Sequence, residues 1–216
     1  MLELLLSVDP ILEAKNLAFE RNENPLFSPV SLLLSSGEAL HIEGPNGCGK
    51  TTLFQLLAGL LQPSQGSIEY CGKPIEQSRY AYLANLLYIG HQPAVKGMLS
   101  VEENLRWLSP SSTSSEQLIE AIQWVGLQAY ADVLCHKLSA GQQRRVALAR
   151  LMTTQAKLWY LDEPFAALDK QGVDLVEAQM ASHIREGGTV LFSSHQDLSK
   201  ITARKYSIVC AGPSND

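Results

Sequence analysis

The sequence predicts an α/β fold in which a parallel-sheet core is interrupted by a helical insertion. Short apolar runs divided by turn-rich pieces open the chain, and a strand, a glycine-rich turn and a helix then follow one another directly from Ala39 to Leu60. Strand and helix alternation returns after about residue 154, beyond a mostly helical stretch.

Ile11 to Phe19, Val30 to Leu34 and Ala39 to Glu43 run apolar or alternate, with turns at Asn22-Glu23-Asn24-Pro25 and Ser35-Ser36-Gly37, so they read as strands. After the turn Gly44 to Gly49, the segment Thr51 to Leu60 spaces Leu53, Leu56, Leu57 and Leu60 along one helix face. Ser67 to Tyr70 and Leu86 to Gly90 read as further strands. Helical spacing dominates from Val101 to about Thr154, broken at Ser109-Pro110-Ser111-Ser112, and Thr113 with Glu116 fits a capping box for a helix reaching Val125. A strand over Leu158 to Leu161, a helix from about Lys170 to Arg185 stopped by Gly187-Gly188, a strand over Thr189 to Ser193 and a last strand near Tyr206 to Cys210 complete the order. The implied organisation is one domain, with an α/β core over about 1–92 and 154–216 and a helical subdomain over about 93–153. No internal repeat or coiled-coil heptad interrupts it.

A length of 216 residues suits one domain, and 45% apolar with 18% charged residues excludes a disordered chain. Seventeen Lys and Arg against 22 Asp and Glu leave a net charge of −5, which excludes a general attraction to nucleic acid or anionic lipid. The four cysteines, Cys48, Cys71, Cys135 and Cys210, stand far apart without a C-x-x-C pair, so unpaired thiols in a reducing compartment are expected. Met1 to Val8 carries Glu3 and no basic n-region or small-residue cleavage site, and reads as leader-less. No apolar run is long enough to cross a bilayer.

Gly44-Pro45-Asn46-Gly47-Cys48-Gly49-Lys50-Thr51 satisfies G-x-x-x-x-G-K-[ST] between a strand and a helix, the context in which that pattern marks a phosphate-binding loop. Glycines let backbone N–H groups converge on phosphate oxygens, the helix N-terminus adds partial positive charge, and Lys50 reaches the terminal phosphates. The Thr51 hydroxyl is the expected Mg²⁺ ligand, and Thr52 completes the nucleotide-binding set. Leu158-Trp159-Tyr160-Leu161-Asp162-Glu163 is an apolar strand ending in two carboxylates. Asp162 is expected to organise the Mg²⁺ shell, and Glu163, pointing another way, to polarise the attacking water.

Leu138-Ser139-Ala140-Gly141-Gln142 opens a helix over Gln143 to Met152. Ser139 and Gln142 spell a capping box, and the serine and glycine at a helix N-terminus also offer a second anion site. Two such sites on one chain suggest two chains, each closing the other's pocket, with ATP holding a head-to-tail homodimer together.

In this order and spacing the phosphate loop, LSAGQ, LWYLDEP, Ala167-Leu168-Asp169 and His195 resemble the ATPase subunit of an ABC transporter over nearly the whole chain. The resemblance implies a P-loop NTPase with a mixed β-sheet core and an inserted α-helical subdomain, binding ATP and Mg²⁺. It implies catalytic roles for Glu163, Lys50 and His195, the last as a γ-phosphate switch. Gln92 becomes the loop residue that senses Mg²⁺ and the γ-phosphate, Ser139, Gly141 and Gln142 the contacts to the opposite subunit's ATP, and Asp169 a residue of the dimer seam. Taken singly, Gln92 reads as a loop amide, Asp169 as a helix N-cap and His195 as a strand-end histidine.

One position departs from that family. Where many members set an aromatic residue against adenine, this chain has Arg21. Its guanidinium plane is expected to stack on the base, with Phe19 as the fallback and a solvated turn arginine as the bland alternative. Cys48 within the phosphate loop predicts thiol sensitivity that ATP protects against.

Tyr88-Ile89-Gly90-His91-Gln92-Pro93, the run from Leu138 to Leu151, Leu158 to Phe165 and Ser194-His195-Gln196 are more narrowly similar to the ATP-binding subunits of cytochrome c maturation, the haem-exporter ATPases. That likeness implies a peripheral subunit on the cytoplasmic face of the bacterial inner membrane. It would touch the membrane only through an integral CcmB-like permease and other cytochrome c maturation membrane proteins, and its hydrolysis would release haem-loaded periplasmic chaperone. Residues from about Pro93 to Glu103 are the implied permease contact. No C-x-x-C-H or close Cys/His cluster occurs, so no haem ligand is assigned. Arg144, Arg145 and Arg150 read as a solvated or inter-lobe face, not as a nucleic-acid stripe. The competing readings are the ATPase of another small ABC exporter or importer, a non-transport ABC ATPase, and a module that holds nucleotide without turning it over.

Overall fold

The computed structural model describes residues 10–211. In chain order the strands and helices are β1 (Leu12–Ala18), β2 (Glu20–Arg21), β3 (Asn24–Pro25), β4 (Val30–Leu34), β5 (Ala39–Glu43), α1 (Lys50–Leu57), β6 (Gln65–Tyr70), β7 (Lys73–Pro74), α2 (Ile75–Ala84) and β8 (Leu86–Ile89). There follow α3 (Val101–Leu108), α4 (Ser115–Trp124), α5 (Ala140–Thr153), β9 (Leu158–Leu161), α6 (Lys170–Arg185), β10 (Thr189–Ser193) and β11 (Arg204–Ser207).

Five strands in the order β11-β5-β10-β9-β8 form a sheet in which every neighbouring pair is parallel. Every residue of β9 and β10 is buried, which is why both read as continuous apolar runs. A second, antiparallel sheet has the order β4-β1-β6-β7, and β4 alternates buried and exposed residues as a sheet with one wet face requires. The sheet core is mixed, with parallel and antiparallel strands segregated into separate sheets.

Helix α1 sets Leu53, Phe54, Leu56 and Leu57 into a cluster with Leu12 of β1, Leu40 and Ile42 of β5 and Tyr160 of β9, so it lies between the two sheets. Residues of α3, α4 and α5 form their own cluster, including Leu105, Leu118, Ile122 and Val146. Helix α5 also sends Ala147, Leu148 and Leu151 into the cluster under β9 and β10.

Three local expectations are corrected. Helix α1 ends at Leu57, because Gly59 takes φ 68° and turns the chain, which leaves Leu60 exposed. The capping box of α4 is formed by Ser114 and Gln117, one residue later than the Thr113 and Glu116 pair. The last strand is Arg204–Ser207, because Arg204 takes its register opposite Leu40 of β5. Helix α2 carries little periodic signal since it buries only Ile75 and Tyr82. No helix among the described residues is long and apolar enough to cross a membrane. The leader-less reading of Met1 to Val8 falls outside the described residues.

One packing contact involves a titratable ring. The His183 ring of α6 stacks on Trp159 with centroids 3.7 Å apart, and its Nε2 contacts the Lys157 carbonyl at 3.1 Å. Burial lowers its pKa below the ordinary histidine value. The unfolded chain therefore binds more protons in the window between the two values. The stabilisation from keeping His183 neutral is full above about pH 6.5 and is lost as pH falls through the folded value. Urea unfolding at about pH 7.5 and about pH 5.5 is expected to show a smaller stability difference between wild type and His183→Gln at the lower pH; a constant difference would contradict this assignment.

Candidate active site

Strand β5 ends at Glu43 and the chain turns through 44–49 into α1, which places the loop's N–H groups at a helix N-terminus. Gly49 takes φ 90°, and a Cβ there would come 2.7 Å from the Phe27 ring, so conformation and space both require glycine. Lys50 Nζ donates to the carbonyls of Gly44 at 2.6 Å and Pro45 at 3.2 Å, which sets its ammonium against the loop backbone.

A cleft of 500 Å³ opens on this loop and gathers Arg21, Asn46, Gly47, Gly49, Lys50, Thr51 and Thr52 together with Asp162, Glu163 and His195. Asp162 is 1% exposed. Its Oδ2 accepts from the Thr51 hydroxyl at 2.7 Å and its Oδ1 from the Ser193 hydroxyl at 2.9 Å. Thr51 and Asp162 thus present adjacent hard oxygen donors, the chemistry that suits Mg²⁺.

Glu163 is geometrically unusual. Its φ of 50° lies in the left-handed region, which costs a non-glycine residue about 1–3 kcal/mol and persists only where neighbours enforce it. Its N–H donates to Ser193 Oγ at 2.9 Å. Its Oε1 is buried and accepts no hydrogen bond among the described residues, while His195 Nε2 lies 3.5 Å from it and 3.0 Å from Asn46 Oδ1. A carboxylate oxygen with a free lone pair, beside a phosphate loop, is suited to take a proton from water.

Not every predicted residue lies in that cleft. Gln92 is exposed in an adjoining groove that shares Thr51 and His91 with it. Phe19, the fallback for adenine, packs against the core, whereas Arg21 lines the cleft. Ser139, Gly141, Gln142 and Asp169 line a separate surface hollow. There the capping box is complete, with the Gln142 N–H donating to Ser139 Oγ at 3.2 Å and the Ser139 N–H to Gln142 Oε1 at 2.9 Å. A Cβ on Gly141 would lie 2.8 Å from the Ala167 carbonyl, so that close approach requires glycine. Asp169 caps α6 through the Gly172 N–H at 2.9 Å and pairs with Arg145 at 2.7 Å. Sequence reasoning missed Ser193, which anchors both acids and belongs to no motif.

The expectation for the cysteines is corrected. Cys48 and Cys210 form a disulfide with Cα atoms 4.9 Å apart, because residues 208–211 return beside Phe27 and the phosphate loop. Cys48 is 2% exposed and does not line the cleft, so the predicted ATP-protectable thiol is corrected too. The inference of a reducing compartment from unpaired thiols loses its basis.

Parallel sheet, phosphate loop and acid pair define an ATP-binding ATPase of the P-loop class. The ABC transporter family pattern matches residues 27–166. The chain is 50% identical over 191 residues, 88% of its length and 91% of the relative's, to the cytochrome c biogenesis ATP-binding export protein CcmA of Pseudomonas putida. It is 48% identical over 189 residues, 88% of its length and 91% of the relative's, to the protein of that name from Escherichia coli. Among solved structures, a putative ABC transporter ATP-binding protein from Pyrococcus furiosus superposes with a TM-score of 0.77 at 26% identity, covering 91% of this chain and 96% of that one. The chain belongs to the ABC transporter family, in the branch of these ATP-binding export proteins.

The cysteine pairing is open to a direct chemical check. Iodoacetamide on the native, unreduced protein is expected to modify the exposed Cys71 alone, with or without ATP, since Cys135 is buried. Reduction in denaturant should expose all four cysteines, as counted by intact mass. Alkylation of Cys48 before reduction would contradict the disulfide.

Proposed function

We propose that this chain is the ATP-hydrolysing subunit of a cytochrome c maturation transport complex, acting as an ATP-dependent head-to-tail homodimer on a separate CcmB-like permease. The observation that carries the hydrolytic part is Glu163 Oε1, buried in the cleft formed by the phosphate loop with no hydrogen bond among the described residues and with His195 Nε2 3.5 Å away. Identity of about half the residues over nearly nine-tenths of the chain to cytochrome c biogenesis export proteins supports the cargo system.

In this reading ATP lies along the loop 44–51 with Arg21 stacked on adenine and Lys50 turned to the terminal phosphates. Thr51 and Asp162, with Gln92 from the adjoining groove, would hold Mg²⁺, which neutralises charge on the phosphate oxygens. Glu163 Oε1 accepts a proton from the attacking water, and His195, steadied by Asn46, donates to the charge developing on the γ-phosphate with Lys50. The hollow with Ser139, Gly141 and Gln142 belongs to the ATP of a second copy, which closes over the cleft and parts after phosphate release.

The α/β core and the helical subdomain over about 93–153 form one nucleotide-binding unit. Permease docking falls on residues about 93–103 and the neighbouring face of α3. Met98 is 78% exposed and Trp107 66% exposed, with Lys96 Nζ 4.0 Å from the Trp107 ring centroid. Exposed large apolar side chains beside the Gln92 loop suit burial against a protein partner. The chain then sits peripherally on the cytoplasmic face of the inner membrane, held there by its partner.

Glu163→Gln is expected to lower phosphate release at least about 100-fold and to accumulate an ATP-bound dimer on size exclusion with light scattering. Wild-type turnover in that variant would remove Glu163 from its role. Arg21→Ala should weaken ATP binding by roughly 3–10-fold, and unchanged affinity would return Arg21 to the solvent. Isolation of the chain from membranes tests the cargo system: co-purification of a cytochrome c maturation permease supports it, and a different permease refutes it and leaves the ATPase of another ABC transporter.

A further inference from the structure

Arg144 lies on the second turn of α5, where sequence offered a solvated or inter-lobe arginine, yet it is 3% exposed. It forms no ion pair among the described residues. Its donors go to main-chain carbonyls instead: Nη1 to Gly90 at 2.6 Å and His91 at 3.4 Å, Nη2 to Asp162 at 2.8 Å and Glu163 at 2.7 Å, and Nε to Pro164 at 3.4 Å. Burial pulls its pKa down to about 10, so it remains a cation at neutral pH.

These carbonyls belong to two segments with work in hydrolysis. Gly90 and His91 lead into Gln92, and residues 162–164 carry the acid pair; Arg144 itself rides on the helix capped by Ser139. The peptide before Glu163 is gripped at both ends, its carbonyl by Arg144 and its N–H by Ser193 Oγ. The peptide after Glu163 is held through its carbonyl by Arg144 again. Both flanks of a residue with φ 50° are thereby fixed, and the side chain's direction follows from them.

We infer that Arg144 is a positioning residue for ATP hydrolysis: its guanidinium holds Glu163 in the left-handed conformation that aims the carboxylate into the cleft, and ties the Gln92 loop and α5 to the same point. Only a planar fork with five N–H donors spans these carbonyls; lysine offers three donors from one atom, and glutamine two. The inference rests on Glu163 being the group that activates water.

The test uses the full chain and compares Arg144→Lys, Arg144→Gln and Ser193→Ala with Glu163→Gln. Phosphate release, binding of a fluorescent ATP analogue and thermal unfolding are followed in each. Arg144→Gln is expected to lower kcat about 10–100-fold while KM and nucleotide affinity stay within about 3-fold, with Arg144→Lys restoring part of the loss. Added to Glu163→Gln, it should lower kcat no further, because the group it positions is already gone.

A folded Arg144→Gln that keeps kcat within about 2-fold of wild type, beside an inactive Glu163→Gln, overturns the positioning role and leaves the reading of Glu163 intact. Full activity in Glu163→Gln overturns that reading, and the positioning role with it. Equal losses of kcat and affinity, or a further loss in the double variant, reduce Arg144 to a structural brace and also overturn the inference. Should Arg144→Gln fail to fold, Arg144→Lys and Ser193→Ala, which loosen the same peptide from its two ends, must each show the kcat-selective loss or the inference fails.

Discussion

Asp162 lies almost wholly out of water at the end of β9, between β8 and β10 in the parallel sheet, and its two oxygens are taken by hydroxyls from two other elements. A buried carboxylate must find donors for its lone pairs, and here Thr51 at the start of α1 and Ser193 at the end of β10 supply them. The hydrogen bond from Thr51 fixes the separation of phosphate loop and acid pair, and the one from Ser193 ties Asp162 to β10. Lys50 precedes Thr51 and Glu163 follows Asp162, so the residues proposed to react inherit their spacing from the first contact.

Parallel pairing supplies the larger frame. Because β5, β8, β9 and β10 all run the same way, their C-terminal ends emerge at one edge of the sheet, and the residues that leave them are Gly44, Gly90, Asp162 and Ser194. Four chain segments distant in sequence are thus delivered to one rim, where open α/β sheets bind their ligands. A separate two-stranded ribbon, β2 paired with β3 between β1 and β4, brings Arg21 to the cleft.

Sequence disclosed what local chemistry determines. Leu158 to Leu161 is legible as a strand because burial on both faces writes an apolar run, and Gly49-Lys50-Thr51 because few residue types meet a helix-terminal phosphate loop's demands. Thr113 with Glu116 and Ser114 with Gln117 satisfy the same capping pattern, and the structure uses the second. Arg144 is inter-lobe and not solvated, and its partners stay hidden from sequence because they are carbonyls, which every residue owns and no motif records. Cys48 and Cys210 are separated by 162 positions, a distance over which spacing says nothing about contact.

Helix α5 belongs to two bodies at once. Val146 and Ala149 pack with α3 and α4, while Ala147, Leu148 and Leu151 pack under the parallel sheet. Alanine on both flanks brings neighbouring backbones close and leaves little slack for slippage. The helix is thereby keyed into both clusters, and its place in one fixes its place in the other. Segments 97–102 and 131–136 are laced together by backbone hydrogen bonds, which joins the chain entering α3 to the chain entering α5.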